Sequence, residues 1–222
     1  SLARIEDFLA MPEHESTEAA ATTTTDGLLV AIGGDGGSDT GMSFKWPGAE
    51  FRLRNVSLSL RGGEIVGVTG STGSGKTSFL CALLAEMPQC DSGDDDSSTD
   101  DSQSSRRHFV TRSVCFVSQR PFLLSASVRE NITMGAVLDK ARMADACERA
   151  DLAQDLDELP RGLDTLVGER GVTLSGGQQM RVALARAFYQ QPQVIVADDP
   201  LAAVDAAVGA HVFRSLQAYA KG

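Results

Sequence analysis

A short stretch in the first half of the sequence has the residue types of a phosphate-binding loop. Residues 70–77 read GSTGSGKT, which is the complete G-x-x-x-x-G-K-[ST] pattern. In such a loop the glycines let the backbone wrap phosphate oxygens, the lysine brings positive charge to the β and γ phosphates, and the following hydroxyl is a Mg²⁺ ligand. A glycine-rich turn without a ligand is the disfavoured alternative. The residues predicted to bind a nucleoside triphosphate are Gly70, Ser71, Thr72, Gly73, Ser74, Gly75, Lys76, Thr77 and Ser78.

Two carboxylates at the end of an apolar run are the expected partners of that loop. Residues 194–199 read VIVADD, and a parallel strand beside the loop would bring Asp198 to the magnesium ion. Asp199 is a candidate base for the attacking water. The alternative is a capping pair at a helix start beside Pro200, which the presence of the loop disfavours for Asp198 and leaves open for Asp199.

The elements that would position these residues predict an α/β fold. A β-branched apolar run at residues 64–69 leads into the loop, and helix-forming residues 78–87 follow it. Residues 41–60 alternate apolar and polar side chains, as half-buried antiparallel strands do. Further strands are predicted at 28–32, 113–118 and 194–197, and helices at 1–10, 139–159, 178–190 and 206–220. This order predicts a P-loop core with a mostly parallel sheet, an antiparallel β subdomain and a helical subdomain.

Composition excludes several classes of protein. The chain has 222 residues, 42% of them hydrophobic, and a net charge of −10, so it is neither a collagen nor a coiled coil, and it does not bind nucleic acid through bulk positive charge. Its four cysteines show no zinc-binding or disulfide spacing, which indicates a reducing compartment. No apolar run is long enough to predict a membrane-spanning segment.

Residues 91–105 form an acidic segment that no motif explains. It reads DSGDDDSSTDDSQSS, with six aspartates and no lysine or arginine. Such a segment buries too little apolar surface to order itself, so we predict a solvated loop inserted before the next strand. Because six serines and one threonine lie among the aspartates, a phosphorylation segment is the alternative.

Several motifs in the second half of the sequence resemble those of one protein family. Residues 174–178 read LSGGQ, the stretch QMRVALARAFYQQPQVIVADDPLAAVD follows, and Gln119 lies in CFVSQRPF. Together with the loop, these motifs resemble the nucleotide-binding domain of an ATP-binding cassette (ABC) transporter, from about residue 44 to the end. SVRENI at 127–132, GERGVTLSGGQ at 168–178 and DDPLAAVDAAVG after residue 197 resemble more narrowly the first such domain of the multidrug-resistance-associated protein subfamily.

The resemblance implies roles for individual residues. Trp46 would stack on adenine, although a lone tryptophan in a strand is otherwise more often a core residue. Gln119 would reach the magnesium ion and the attacking water, and would sense the membrane domains. Asp205 would communicate across a dimer, with a helix N-cap as the equal alternative. The signature residues, which would face the γ phosphate of ATP on an opposite domain, are Leu174, Ser175, Gly176, Gly177 and Gln178.

The resemblance also implies an organisation and partners. Residues 1–12 are expected to be the helix that leaves a membrane domain, 13–40 a linker, and 41–222 an ABC-type ATP-binding domain, truncated at its C-terminus, that contains the acidic insert. The expected partners are a second nucleotide-binding domain, in a head-to-tail dimer across ATP, and the transmembrane domains of the same transporter, with no nucleic acid. The expected function is binding and hydrolysis of MgATP to power export, at the cytoplasmic face of a membrane.

Two departures from the family pattern predict slow hydrolysis. The catalytic carboxylate of the family is usually Glu, whereas Asp199 is one methylene shorter and would hold water about 1 Å too far away. The family's switch histidine would fall beyond the last residue, and His14, His108 and His211 are expected to be surface residues. The isolated chain is therefore expected to be a weak or inactive ATPase. The alternatives are a regulatory domain that senses ATP without hydrolysing it, and a soluble ABC-type ATPase of DNA repair or chromosome maintenance.

Overall fold

The computed structural model describes residues 28–33, 41–90, 107–111, 113–168 and 173–221. The predicted helix 1–12, most of the predicted linker 13–40 and the acidic insert 91–105 lie outside the described residues, and these three stay predictions. None of the described helices is long and apolar enough to cross a lipid bilayer.

Two small antiparallel sheets form from the strand-rich first part of the chain. Their strands are β1 (Leu28–Gly33), β2 (Met42–Lys45), β3 (Arg52–Val56), β4 (Leu58–Arg61), β5 (Gln89–Cys90) and β6 (Arg107–Val110). β1 lies between β4 and β6, and β2 lies between β3 and β5. The buried side chains of Val30, Ile32, Met42 and Phe44 form one apolar cluster. The alternating pattern at residues 41–60 therefore predicted β2, β3 and β4, and the apolar run at 28–32 predicted β1, while β5 and β6 were not predicted.

The third sheet is a parallel pair, β7 (Val114–Val117) and β8 (Val194–Ala197). The two strands are in register, with Val114 opposite Val194 and Val117 opposite Ala197. Both strands were predicted. Among the described residues, parallel pairing is confined to this pair, so a mostly parallel core sheet stays a prediction.

Six α-helices complete the described fold. They are α1 (Lys76–Leu83), α2 (Val128–Thr133), α3 (Lys140–Arg149), α4 (Ala153–Glu158), α5 (Gly176–Gln190) and α6 (Ala206–Lys221). Side chains define several starts: Ser127 and Glu130 form a capping box on α2, and Asp139 accepts hydrogen bonds from the first turn of α3. The predictions of α5 and α6 are confirmed within two residues.

Helix α5 is the centre of the larger core. Nearly every side of it is buried, including Met180, Leu184, Phe188 and Tyr189, and it packs against α2, α3 and β7. A helix that is apolar on all sides is stable only when other elements surround it. The helix is therefore anchored in the core from Met180 onward, while its first turn lies nearer the surface.

Arg186, on α5, is a half-buried cation that caps another helix. Its Nε donates to the carbonyl of Asn131 at 2.7 Å, and its Nη2 donates to the carbonyl of Phe122 at 3.0 Å. Asn131 lies in the last turn of α2, where carbonyl groups lack partners within the helix. Burial lowers the pKa of Arg186, and the carbonyl oxygens compensate part of that cost. The segment that follows β7 is thereby tied to α5.

Three predictions from the sequence are corrected by the structure. Residues 64–69 form no strand, although they are β-branched and apolar: no described strand pairs with them, and Ile65 and Val66 are 50% and 49% exposed. A strand needs a hydrogen-bonded neighbour, and side-chain propensity does not replace it. The helix predicted at 139–159 is two helices, because Asp151 has a left-handed backbone with φ 55. The helix predicted at 78–87 is α1, which ends earlier because Ala85 has φ 60.

His108 is the fourth correction, since it is not a surface residue. It lies in β6, where its Nε2 is 3.2 Å from the carbonyl oxygen of Leu83 and its ring meets Phe44 edge-on. Burial lowers the pKa of His108. His211, on α6, is half-buried like His108, with its Nε2 2.8 Å from the carbonyl oxygen of Glu148. His14 lies outside the described residues.

We expect Tyr189→Phe to destabilise the fold. The buried hydroxyl of Tyr189 donates to the carbonyl of Val137 at 2.7 Å and accepts from the N–H of Asp139 at 2.9 Å. Removing it breaks both hydrogen bonds, which lowers the free energy of unfolding by about 1–3 kcal/mol in a urea titration followed by circular dichroism. Tyr219→Phe, which removes one hydrogen bond at a half-buried site, is the matched control and should lower it less. Equal losses would contradict this account.

Candidate functional site

The loop at residues 70–77 leads into a helix start that no side chain caps. Gly75 is the N-cap residue of α1 and has φ 95, which glycine adopts without strain. No side chain in the described part of the chain accepts a hydrogen bond at this cap. The backbone N–H groups of Lys76 and Thr77 belong to the first turn and have no partner within the helix. A helix start of this kind binds anions such as phosphate.

An aromatic ring covers one side of this helix start. A Cβ atom at Gly75 would lie 2.4 Å from Cζ of Phe51, so a larger residue would collide with the ring. Phe51 is 41% exposed. Trp46, the residue predicted to stack on adenine, is half-buried and packs against the apolar cluster of β1, β2 and α1. Phe51 was missed because it belongs to no motif, and the role of Trp46 stays a prediction.

Lys76 folds back over the loop. Its Nζ donates to the carbonyl oxygens of Gly70 and Ser71, each at 3.0 Å. The ammonium group thus lies across the loop that the sequence predicts to surround phosphates. Neutral carbonyls are weaker partners for an ammonium ion than phosphate oxygens. With a small rotation of its side chain, Lys76 could exchange these carbonyl oxygens for phosphate oxygens.

Thr77 and Asp198 meet although they are 121 residues apart in the sequence. The hydroxyl of Thr77 donates to Oδ2 of Asp198 at 2.7 Å. Asp198 follows β8, is only 8% exposed, and its own N–H donates to the carbonyl of Val117 at the end of β7. Gln119 follows β7 by two residues and is exposed, so it lies at the same edge of the sheet as Asp198. The three predicted metal ligands are therefore at or beside one edge.

The oxygen atoms of Thr77 and Asp198 fit a magnesium ion. Two adjacent ligands of an octahedral Mg²⁺, each at about 2.1 Å, are separated by about 3 Å, and the observed separation is 2.7 Å. Within the described ranges, no group of three or more His, Cys, Asp or Glu could hold a metal. An ion here would thus take its remaining ligands from phosphate and water, as Mg²⁺ commonly does.

Asp199 is in a different environment from Asp198. Its side chain is exposed, and its backbone is left-handed, with φ 51. Asp and Asn adopt that conformation more readily than other residues with a side chain. The carbonyl of Asp199 accepts from the N–H of Ala202, which turns the chain away from β8. Its assignment as the catalytic base stays a prediction.

The signature residues 174–178 begin helix α5. Ser175 is the N-cap: its hydroxyl accepts from the N–H of Gln178, and the side chain of Gln178 accepts from the N–H of Ser175. A Cβ atom at Gly177 would lie 2.9 Å from the carbonyl oxygen of Ala203, whereas Gly176 faces open space. The segment that follows Asp199 therefore passes directly beside the signature, and Gly177 leaves room for it.

A carboxylate from another helix braces the same turn. Asp155, on α4, is 7% exposed and accepts from Nε and Nη2 of Arg181 at 2.5 and 2.7 Å. It also accepts from Nε2 of Gln178 at 3.3 Å. The hydrogen bond to Asp155 raises the pKa of Arg181. Sequence reasoning missed this pair, because nothing in the spacing of residues 155 and 181 connects them.

Asp205 caps helix α6. Its Oδ1 accepts from the N–H groups of Ala207 and Val208 at 2.9 and 3.0 Å. These backbone hydrogen bonds, that of Val208 first, lower the pKa of Asp205. Of the two roles left open by the sequence, the N-cap is therefore present in the structure, and communication across a dimer stays a prediction.

Comparisons with known proteins cover the same residues. A family model described as ABC transporter matches residues 53–202. "Probable multidrug resistance-associated protein lethal(2)03659" of Drosophila melanogaster is 38% identical over 74% of this chain and 11% of its own length. "ATP-binding cassette sub-family C member 4" of Mus musculus is 36% identical over 96% of this chain and 15% of its own. "ATP-binding cassette sub-family C member 3" of Rattus norvegicus is 33% identical over 96% of this chain and 13% of its own length.

These relatives confirm the resemblance to the multidrug-resistance-associated subfamily, and the chain spans between 11% and 15% of their length. The family match includes the loop, the strand that precedes Asp198, and the signature. The chain belongs to the ABC transporter family.

Proposed function

We propose that this chain binds MgATP on residues 70–78 and, together with a second domain of the same kind, hydrolyses it to power export across a membrane. The observation that carries the proposal is the contact of Thr77 with Asp198 at 2.7 Å, which joins the phosphate loop to a buried carboxylate. Family membership supports ATP binding and hydrolysis in general. The export function and the cytoplasmic face of a membrane are proposed from the subfamily C relatives.

In this proposal, different residues of the chain bind the phosphates and the metal of MgATP. The free N–H groups at the start of α1 receive phosphate oxygens, and the ammonium of Lys76 leaves its two carbonyl partners for the β and γ phosphates. Thr77 and Asp198 hold the metal, with Gln119 beside them. Bound Mg²⁺ would neutralise charge on the phosphates and stabilise the leaving group.

The proposal includes a second domain because the signature begins a helix whose start is open to a ligand from outside this chain. Gly176 is open to its surroundings, and α5 packs mainly against α2 and α3. We propose that Ser175, Gly176 and Gly177 present donors to the γ phosphate of ATP held by a partner domain, while the partner's signature completes the site at Lys76. The transmembrane domains of the same transporter are the further partners in this proposal.

Hydrolysis at this chain's own loop is proposed to be slow. Asp199 has a shorter side chain than Glu, is exposed, and has a left-handed backbone. A longer carboxylate would reach farther toward water at the γ phosphate. The same observation favours a second candidate function, a regulatory domain that binds ATP without appreciable turnover.

Lys76→Ala should weaken MgATP binding at least about tenfold, since a charge-assisted hydrogen bond contributes about 1.5–3 kcal/mol. The measurement is an equilibrium titration of the 222-residue chain with a fluorescent ATP analogue. Lys140→Ala removes the same charge from an exposed helix start and should change nothing. A folded Lys76→Ala protein with unchanged affinity would refute the assignment of the loop.

Asp198→Asn should remove most of the dependence of ATP binding on magnesium. Asn keeps the shape and still accepts from Thr77, but it lacks the charge that attracts a divalent cation. Titrations with Mg²⁺ and with EDTA should differ for the original chain and be nearly equal for the variant. Asp157→Asn, at an exposed position of α4, is the control for lost charge. A full magnesium effect in Asp198→Asn would contradict the metal site.

Asp199→Glu should raise turnover at this site in the complete transporter by roughly 10- to 100-fold, because a correctly placed base contributes that much or more. In the 222-residue chain the same change should do almost nothing, since the partner's donors to the γ phosphate are missing. Phosphate release is measured in both settings. Equal gains in both would show that one domain completes its own site.

A further inference from the structure

Among the described residues outside the proposed nucleotide site, Asp155 is the one acidic residue that is buried. It lies on α4 and receives three hydrogen bonds, two from Arg181 and one from Gln178. Both donors belong to the first two turns of α5, the helix that begins with the signature. An ion pair that merely joined two helices would need only Arg181. The bond to Gln178 connects Asp155 to the signature itself.

The chemistry of a carboxylate determines how the amide of Gln178 is oriented. An ionised carboxylate only accepts hydrogen bonds, so the NH₂ group of Gln178 must face Asp155. The amide oxygen then faces the opposite way, toward the backbone N–H of Ser175, which it accepts at 3.0 Å. If the amide were turned over, two donors would meet at Ser175 and two acceptors at Asp155. Asp155 therefore selects one of two orientations.

That orientation decides which groups of the signature remain available. The N–H of Ser175 is used by the oxygen of Gln178, and the N–H of Gln178 is used by the hydroxyl of Ser175. The N–H groups of Gly176 and Gly177 lie in the first turn, without partners within the helix. The hydroxyl of Ser175, which accepts from Gln178, still has its own proton to donate. The open end of α5 thus presents donors only.

We infer that Asp155 is a positioning residue of the signature: by orienting Gln178 it keeps the start of α5 an array of hydrogen-bond donors for the phosphate of a partner domain. The inference rests on the proposed function, because that function supplies the phosphate. Without the carboxylate, Gln178 turns freely, its NH₂ group competes with the N–H of Ser175, and the turn loosens. Arg181, which follows on the same face, would lose its partner as well.

The test exchanges the two side chains. Asp155→Asn removes the acceptor-only group, and Gln178→Glu places a second carboxylate against Asp155. In the combined variant the NH₂ group of Asn donates to Glu, and Glu accepts from the N–H of Ser175, so the contact with the side chain at position 178 and the total charge are restored. Because Oδ1 of Asp155 accepts from both Gln178 and Nη2 of Arg181, the NH₂ group that replaces it leaves Arg181 only the hydrogen bond of its Nε. The readout is site-resolved nucleotide trapping in the complete transporter, measured separately at the loop of this domain and at the partner's loop.

We expect each single variant to lower trapping at the partner's loop about tenfold, and the combined variant to recover part of that loss, because the effects of two residues that interact directly are not additive. Trapping at Lys76 should change less. Asp145→Asn, which removes a carboxylate from the exposed pair with Arg149 on α3, is the control and should have no effect. Additive losses in the combined variant, or an unimpaired Asp155→Asn transporter, would overturn the inference.

If the variants reduce the amount of folded transporter, amide hydrogen exchange at Ser175 in the 222-residue chain tests the inference about Asp155 instead. Exchange should be slow in the original chain and in the combined variant, and at least about tenfold faster in Asp155→Asn, because the acceptor for that N–H is no longer held in place. Equal rates in all three would overturn the inference. An original transporter that traps no nucleotide at either loop would instead refute the proposed function, and the exchange result would still test the role of Asp155.

Discussion

The hydrogen bond from Thr77 to Asp198 connects the two parts of the chain that a phosphate site requires. One end is the first turn of α1, which supplies free N–H groups, and the other is the end of β8, which supplies negative charge. Asp198 is nearly buried, and a buried carboxylate is stable only when hydrogen bonds or a cation compensate its charge. The hydroxyl of Thr77 compensates the charge of Asp198 in this structure, and the proposed metal would compensate it when bound. The packing of β8 against β7 sets where the carboxylate lies, so the geometry of the site depends on this parallel pair.

The N-termini of α1 and α5 differ in how they are capped. The start of α1 is left without a side-chain cap, and Gly75, held beside Phe51, lets the backbone approach a ligand closely. The start of α5 is capped by Ser175 and Gln178 and braced by Asp155. A helix start without a side-chain cap, as in α1, suits a ligand that fills the whole loop. A capped start, as in α5, suits a surface that must bind a ligand from another domain without rearranging. The packing of α5 from Met180 onward anchors the helix that carries this second start.

The local features of the site could be predicted from the sequence, and the long-range ones could not. The loop at 70–77 and the carboxylate after residues 194–197 are recognisable because each is a short pattern beside an apolar strand or a helix. The strand predicted at 64–69 is absent because side-chain propensity says nothing about whether a neighbouring strand pairs with it. The pairing of Asp155 with Arg181, and the contact of Phe51 with Gly75, depend on how separate elements pack. No periodicity within either segment carries that information.

The sequence separation within the site also has a consequence for the order of events during synthesis. Thr77 leaves the ribosome 121 residues before Asp198, which at typical elongation rates is an interval of about 6 to 24 s. The apolar cluster that holds β1, β2 and α1 includes Val194 and Val196 of β8, so it is completed only at the end of that interval. Until then the nascent chain has the residues of the phosphate loop but no carboxylate to hold a metal. Any preference for the magnesium complex can therefore arise only after β8 has been made.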